Sequence, residues 1–187
     1  AELKGISIDG DKINIGAMTT QHELIASEAL AKAAPLIREA SLQIADPQVR
    51  YLGTIGGNVA NGDPANDMPG LMQTLDATYH LTGPEGSRTI KARDFYEAAY
   101  FTAREDEEIL TAISFAKPSG GFAYEKQKRK IGDYATAAAG VLITVDGGTC
   151  KAASVALTNL SDTPVYCAGA VDALVGSSLD DLAIKAA

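Results

Sequence analysis

Isoleucines at 6, 8, 13 and 15 alternate with polar residues on either side of Asp9 and Gly10, and a period of two broken by a turn pair predicts a β-hairpin. Thr19 or Thr20 then stands where a helix over 21–26 needs its N-cap. After Pro35 the residues Leu36, Ile37, Ala40 and Ile44 recur at helical spacing, and Pro47 blocks continuation of that helix. Residues 49–52 read as a short strand, and 68–75 as a helix with Asp67 as N-cap and Pro69 in its first turn. Segments 78–81 and 88–91 flank Gly83-Pro84-Glu85-Gly86 as a second hairpin, Asp94 starts a helix through 99, and 109–115 has the β-branched and aromatic content of a strand. A third hairpin joins 136–145 to 149–157 through Asp146-Gly147-Gly148, and helices over 165–175 and 179–187 close the chain.

Strands and helices thus mix in two successive groups dominated by hairpins, which predicts an α+β fold rather than a parallel doubly wound sheet. The stretch Lys117-Pro118-Ser119-Gly120-Gly121 is the natural boundary, dividing the chain into 1–116 and 117–187. With 187 residues, 46% hydrophobic and 21% charged, the chain has the size and composition to bury a sizeable core. It shows no bilayer-length apolar run and no basic-then-apolar leader, so a soluble, cytoplasmic protein is expected. The first residue is Ala rather than Met, which predicts that natural sequence precedes it.

A formal net charge of -8 argues against nucleic acid as a partner, since that function needs a basic footprint. Cys150 and Cys167 are too far apart for a Cys-x-x-Cys site, and two cysteines with two histidines cannot hold an iron–sulfur cluster of the four-thiolate kind. Both cysteines are read as buried small hydrophobes. His22 reads as a solvated or capping residue, His80 as a packed or water-facing strand residue, and Glu105-Asp106-Glu107-Glu108 as a solvated turn.

The regular pattern is interrupted most strongly from Thr54 to Gly70. Gly56 and Gly57 permit positive φ and close backbone approach, and successive amides there could receive a phosphate. Thr54 and Asn58 flank the pair with hydrogen-bonding side chains, while an ionised Asp67 can only accept, which suits the hydroxyls of a ribityl or ribose chain. The same residues also make ordinary surface turns, and helix capping alone would explain Asp67. In 122–130, Lys126, Lys128 and Lys130 share one face if the segment is extended, as a solvated edge or a phosphate site. Tyr134 precedes an apolar strand, where a ring either joins the core or lies against a planar cofactor.

The run Thr54-Ile55-Gly56-Gly57-Asn58, followed by Asp63-Pro64 and Asp67-Met68-Pro69, resembles the second flavin loop of the FAD-binding medium subunits of the molybdenum hydroxylases, the xanthine dehydrogenase family. The runs at 62–69, 81–86, 99–103 and 124–137 resemble the aerobic carbon monoxide dehydrogenase branch, and the likeness covers essentially the whole chain. It implies an FAD-binding domain of the PCMH type followed by the start of a smaller α+β C-terminal domain. Thr54, Ile55, Gly56, Gly57 and Asn58 would line the flavin and Asp67 would contact its polar chain. Ile44, Leu110 and Lys126 fall where relatives have flavin contacts, and Tyr134 where an aromatic lies near the isoalloxazine.

Such subunits carry FAD and pass it electrons that start at a molybdenum cofactor on a large subunit and cross [2Fe-2S] clusters on a small one. A dimer of heterotrimers, a quinone or similar acceptor, and association with the inner face of the membrane through the complex are implied. The family's earlier glycine-rich flavin loop has no match here, and the C-terminal domain is expected to be cut short. The same resemblance accommodates a purine, aldehyde or N-heterocycle hydroxylase. A non-catalytic assembly domain without flavin is the reading from a different class.

Overall fold

The structure, a computed structural model, describes residues 3–187. Strands β1 (Ile6–Asp9) and β2 (Lys12–Gly16) form the first hairpin, with Ile6 opposite Ile15. Helices α1 (Gln21–Ala26), α2 (Glu28–Ala33), α3 (Pro35–Leu42), α4 (Pro47–Leu52), α5 (Ile55–Ala60) and α6 (Asp67–Thr74) follow. Next come β3 (Thr78–Gly83), β4 (Gly86–Lys91), the small hairpin β5 (Tyr96–Ala98) and β6 (Phe101–Thr102), and β7 (Ile109–Ala116). The remaining elements are β8 (Gly121–Gln127), β9 (Ala137–Asp146), β10 (Thr149–Thr158), β11 (Val165–Tyr166), α7 (Ala168–Leu174) and α8 (Asp181–Ala186).

Five strands make an antiparallel sheet in the order β1-β2-β7-β3-β4, and four make a second in the order β11-β10-β9-β8. The expected α+β class and the three long hairpins are therefore present. The local signals that fix them are short-ranged: alternating side chains and a Gly-containing turn specify their own pairing.

The helical stretch differs from the sequence pattern where one residue can serve two ends. Pro47 does not simply end a helix. It opens α4, whose N-cap Asp46 accepts from the Val49 amide at 3.0 Å, so residues 49–52 are helix rather than strand; proline suits a first turn whose N–H has no partner anyway. Ser27 both ends α1 and caps α2. Thr20 and Glu23 form a full capping box on α1.

Four further expectations change. Asp94 ends a short 3-10 turn instead of starting a helix, and Tyr100, at φ 61, turns the hairpin that follows. Val165 and Tyr166 pair with β10 before α7 begins. Asn66, not Asp67, precedes α6 as N-cap. Cys150 is buried as expected, while Cys167 is only half-buried.

Helix α6 is buried along all eight residues and packs on α3 and α5 as well as on β9, β10 and β11. Its glycine makes this possible: a Cβ on Gly70 would collide with the Thr158 side chain of β10. Arg93 ties its C-terminal end to the second sheet, donating to the Gln73 carbonyl at 3.2 Å and stacking 3.6 Å above the Tyr166 ring, a favourable place for a cation.

Glu108 departs from the solvated turn expected of it. Arg88 grips both its oxygens, at 2.6 and 2.7 Å, and the Glu105 amide donates to it at 2.9 Å. These donors hold its carboxyl down at about 2, against an ordinary 4.5. A depressed folded-state value stabilises the fold above the unfolded pKa, and that contribution disappears as pH falls from about 4.5 towards 2. Glu108→Gln should therefore flatten the acid limb of the stability profile in that window while leaving its shape near neutrality, as read by urea melts across pH.

Candidate cofactor site

A cleft of about 460 Å³ is walled by Ile44, Ala45, Asp46 and Val49, by Asn58, Asn66 and Asp67, and by Lys126 with the loop 131–134. Its three walls come from the turn after α3, the junction of α5 with α6, and the edge strand β8 with the loop beyond it. Each wall has an identifiable brace. Ala45 takes a left-handed φ of 45, and Arg50 Nη1 donates to the carbonyls of Ile44 at 2.8 Å and Ala45 at 3.0 Å. Asn58 joins the helices: its Oδ1 accepts the Met68 amide at 3.2 Å, and its carbonyl accepts Asn66 Nδ2 at 2.9 Å.

At the buried end lies a charged group. Asp67 Oδ2 accepts from Lys126 Nζ at 2.8 Å, with the two side chains 5% and 1% exposed, and Asp67 Oδ1 accepts from the Tyr124 hydroxyl at 2.5 Å. Lys126 also donates to the Gln43 carbonyl at 3.2 Å. Tyr124 and Lys126 are two apart on β8 and so share one face. Burial, then the Asp67 carboxylate beside it, pushes the Tyr124 hydroxyl far above the usual tyrosine range, so it keeps its proton and donates it to Asp67. Asp67 stands in the first turn of α6, where the helix dipole adds to its stabilisation.

Five of the ten residues singled out in the sequence, Ile44, Asn58, Asp67, Lys126 and Tyr134, meet at this cleft. Tyr134 is 66% exposed and belongs to the rim, not the core. Lys126 is no solvated edge residue, and Asp67 is engaged by its partners in place of a cap. Leu110 is buried in β7 opposite Leu81 and does not reach the wall.

Thr54, Ile55, Gly56 and Gly57 begin α5 next to the cleft without lining it. Their amides are not bare. Ile55 donates to the Thr19 carbonyl, Gly56 to that of Ala17, Gly57 to Thr54 Oγ1 and Asn58 to the Thr54 carbonyl, so the first turn is satisfied within the protein. Both glycines are helical. Gly56 is required by contact with β2's end, since a Cβ would fall 2.5 Å from that of Ala17; Gly57 is exposed, and a Cβ there would meet only Thr54 Oγ1, at 3.0 Å.

Sequence reasoning passed over Tyr124, Asn66, Ile131, Gly132 and Asp133. Asp133 contributes a buried Oδ2 with no hydrogen-bond partner, its nearest cation being Arg129 Nε at 3.6 Å. Lys126 retains one N–H and Asp67 spare lone pairs among the described residues. The cleft thus offers a cation and two carboxylates beside apolar surface, a donor and acceptor set that fits a polyhydroxyl chain joined to a planar ring.

Comparison with known proteins decides the family. Residues 1–118 match the FAD binding domain in molybdopterin dehydrogenase, and residues 122–187 match the CO dehydrogenase flavoprotein C-terminal domain. The chain belongs to this flavoprotein family. It is 60% identical over its full length to the carbon monoxide dehydrogenase medium chain of Afipia carboxidovorans, and 42% identical to that of Hydrogenophaga pseudoflava. It spans 65% and 66% of the lengths of these relatives. A solved structure of reconstituted CO dehydrogenase from Oligotropha carboxidovorans superposes with a TM-score of 0.97 at 59% identity, covering 99% of this chain and 65% of that one. Among the described residues no helix is long and apolar enough to cross a membrane, and no cluster of three or more His, Cys, Asp or Glu could hold a metal ion.

The buried pair yields a stability prediction. Removing one charge strands the other, which typically costs about 3–5 kcal/mol. Asp67→Ala should lose stability on that scale, and Asp67→Leu combined with Lys126→Met should recover part of it, as measured by urea denaturation. A double variant as unstable as Asp67→Ala would show that the cost lies elsewhere.

Proposed function

We propose that the chain is the FAD-carrying electron-transfer part of a medium subunit in a molybdenum hydroxylase of the carbon monoxide dehydrogenase type. In this reading electrons leave a molybdenum cofactor on a large subunit, cross [2Fe-2S] clusters on a small subunit, and reach an acceptor such as a quinone through FAD. The assembly is a dimer of heterotrimers in the cytoplasm, held at the inner face of the membrane through its partners. The observation that carries the reading is the cleft in which Asp67 and Lys126, from the two family-matched segments, are paired beside Asn58, Ile44 and Tyr134. The 60% identity over the whole chain favours carbon monoxide as the substrate of the complex over purines, aldehydes or N-heterocycles.

FAD, when bound, supplies the redox chemistry. The protein's share is to hold and orient it. Lys126 offers a cation and a spare N–H, Asp67 and Asp133 accept from hydroxyl or imide groups, and Tyr134 offers an aromatic face for a planar ring. In this proposal Thr54 and the exposed Gly57 form the edge of the site at the start of α5, while the buried Ile55, Gly56 and Leu110 belong to the packing behind it.

The visible flavin absorption of the purified complex tests the assignment. Gly57→Val, on an exposed helical position, should abolish flavin retention with little change in melting temperature, because the branched side chain occupies the surface the cofactor needs. Full FAD content in that variant would remove the start of α5 from the site.

A further inference from the structure

Tyr124 lies behind the cleft: it does not line it, and reaches it only through Asp67, which does. Its ring is buried at 4% exposure, and its hydroxyl is committed to Asp67 Oδ1 at 2.5 Å. Its carbonyl accepts Gln43 Nε2 at 3.4 Å, while the Gln43 carbonyl accepts Lys126 Nζ at 3.2 Å. Tyr124, Asp67, Lys126 and Gln43 therefore close a ring of contacts linking α3, α6 and β8.

We infer that Tyr124 is a positioning residue for the cofactor: by fixing one oxygen of Asp67 it sets the other against Lys126, so that the pair meets a ligand hydroxyl as a matched acceptor and donor. This rests on the proposed flavin site and deepens it by adding, behind that pair, the residue that sets its geometry. A carboxylate joined to Cβ by a single bond rotates easily about χ2. Lys126 alone does not define its plane, since an ammonium presents rotatable donors with no fixed fork. A second donor on the opposite oxygen does. The burial that keeps the tyrosine protonated makes it a donor whose direction does not change with pH in the physiological range. The consequence for a ligand is pre-organisation: no rearrangement of the buried pair is needed when a hydroxyl arrives.

The test is Tyr124→Phe in the full-length protein with its partner subunits, which keeps the ring and removes the hydroxyl. The expected result is FAD affinity lower by about tenfold, the scale of one hydrogen bond to a charged group, together with an altered vibrational structure in the bound flavin's visible band. A fall in melting temperature with unchanged FAD affinity and spectrum would make the residue merely structural and overturn the inference. Should Tyr124→Phe fail to fold, 4-fluorophenylalanine incorporated at position 124 keeps the ring and fills the hydroxyl's place without its proton. An FAD affinity that then stays the same also overturns it. Absence of FAD from the unaltered protein would overturn the site itself, whereas FAD retained unchanged by both variants would overturn only the role of Tyr124.

Discussion

Two opposite charges buried to within a few per cent of complete exclusion, on Asp67 and Lys126, constrain everything around them. Such a pair is tolerable only when each partner is present and further hydrogen bonds take up most of the remaining donors and acceptors. Meeting that condition requires α6 to begin where β8 passes, and requires β8 to turn residues 124 and 126 inward together. The second sheet is thereby fixed against the helical layer. The cleft is the space left beside the junction, walled by the elements that the pair draws together.

The opposite end of α6 repeats the arrangement with weaker chemistry. Arg93 binds the Gln73 carbonyl and lies over Tyr166, and Ser154 donates to the Thr74 carbonyl at 2.7 Å. A helix buried along its length, with glycine where β10 approaches, is clasped at both termini by groups that belong to the second sheet or contact it. Rigidity of this kind suits a module whose task is to hold a cofactor still, because orientation rather than chemistry is what the protein contributes.

Which parts of this were legible in the sequence follows from the range of the interactions. The hairpins β1/β2, β3/β4 and β9/β10 are written in adjacent residues and could be read there. Pro47 was ambiguous because the same ring that stops one helix starts the next, and only the Asp46 cap distinguishes the two outcomes. For Asp67 the local pattern offered capping, while its real partners lie at 124 and 126, a tertiary contact that no window of sequence contains. Lys126 likewise looked like an edge lysine until α6 was placed against its strand. Gly56 was picked out for close approach and does make one, but to Ala17 of the protein's own backbone. Resemblance gathered Ile44, Asn58, Asp67, Lys126 and Tyr134 into one list; the contact that explains two of them, Tyr124, carried no local signal beyond its alternation with Lys126.

Hydrogen–deuterium exchange on the complete protein with and without FAD tests whether a flavin cofactor occupies the cleft at the Asp67–Lys126 junction and bridges the two family-matched segments. Protection on FAD binding should rise together at 44–46, at 58 and 66–67, and at 126 and 131–134. Protection confined to one segment, or found only at positions remote from these walls, would contradict it.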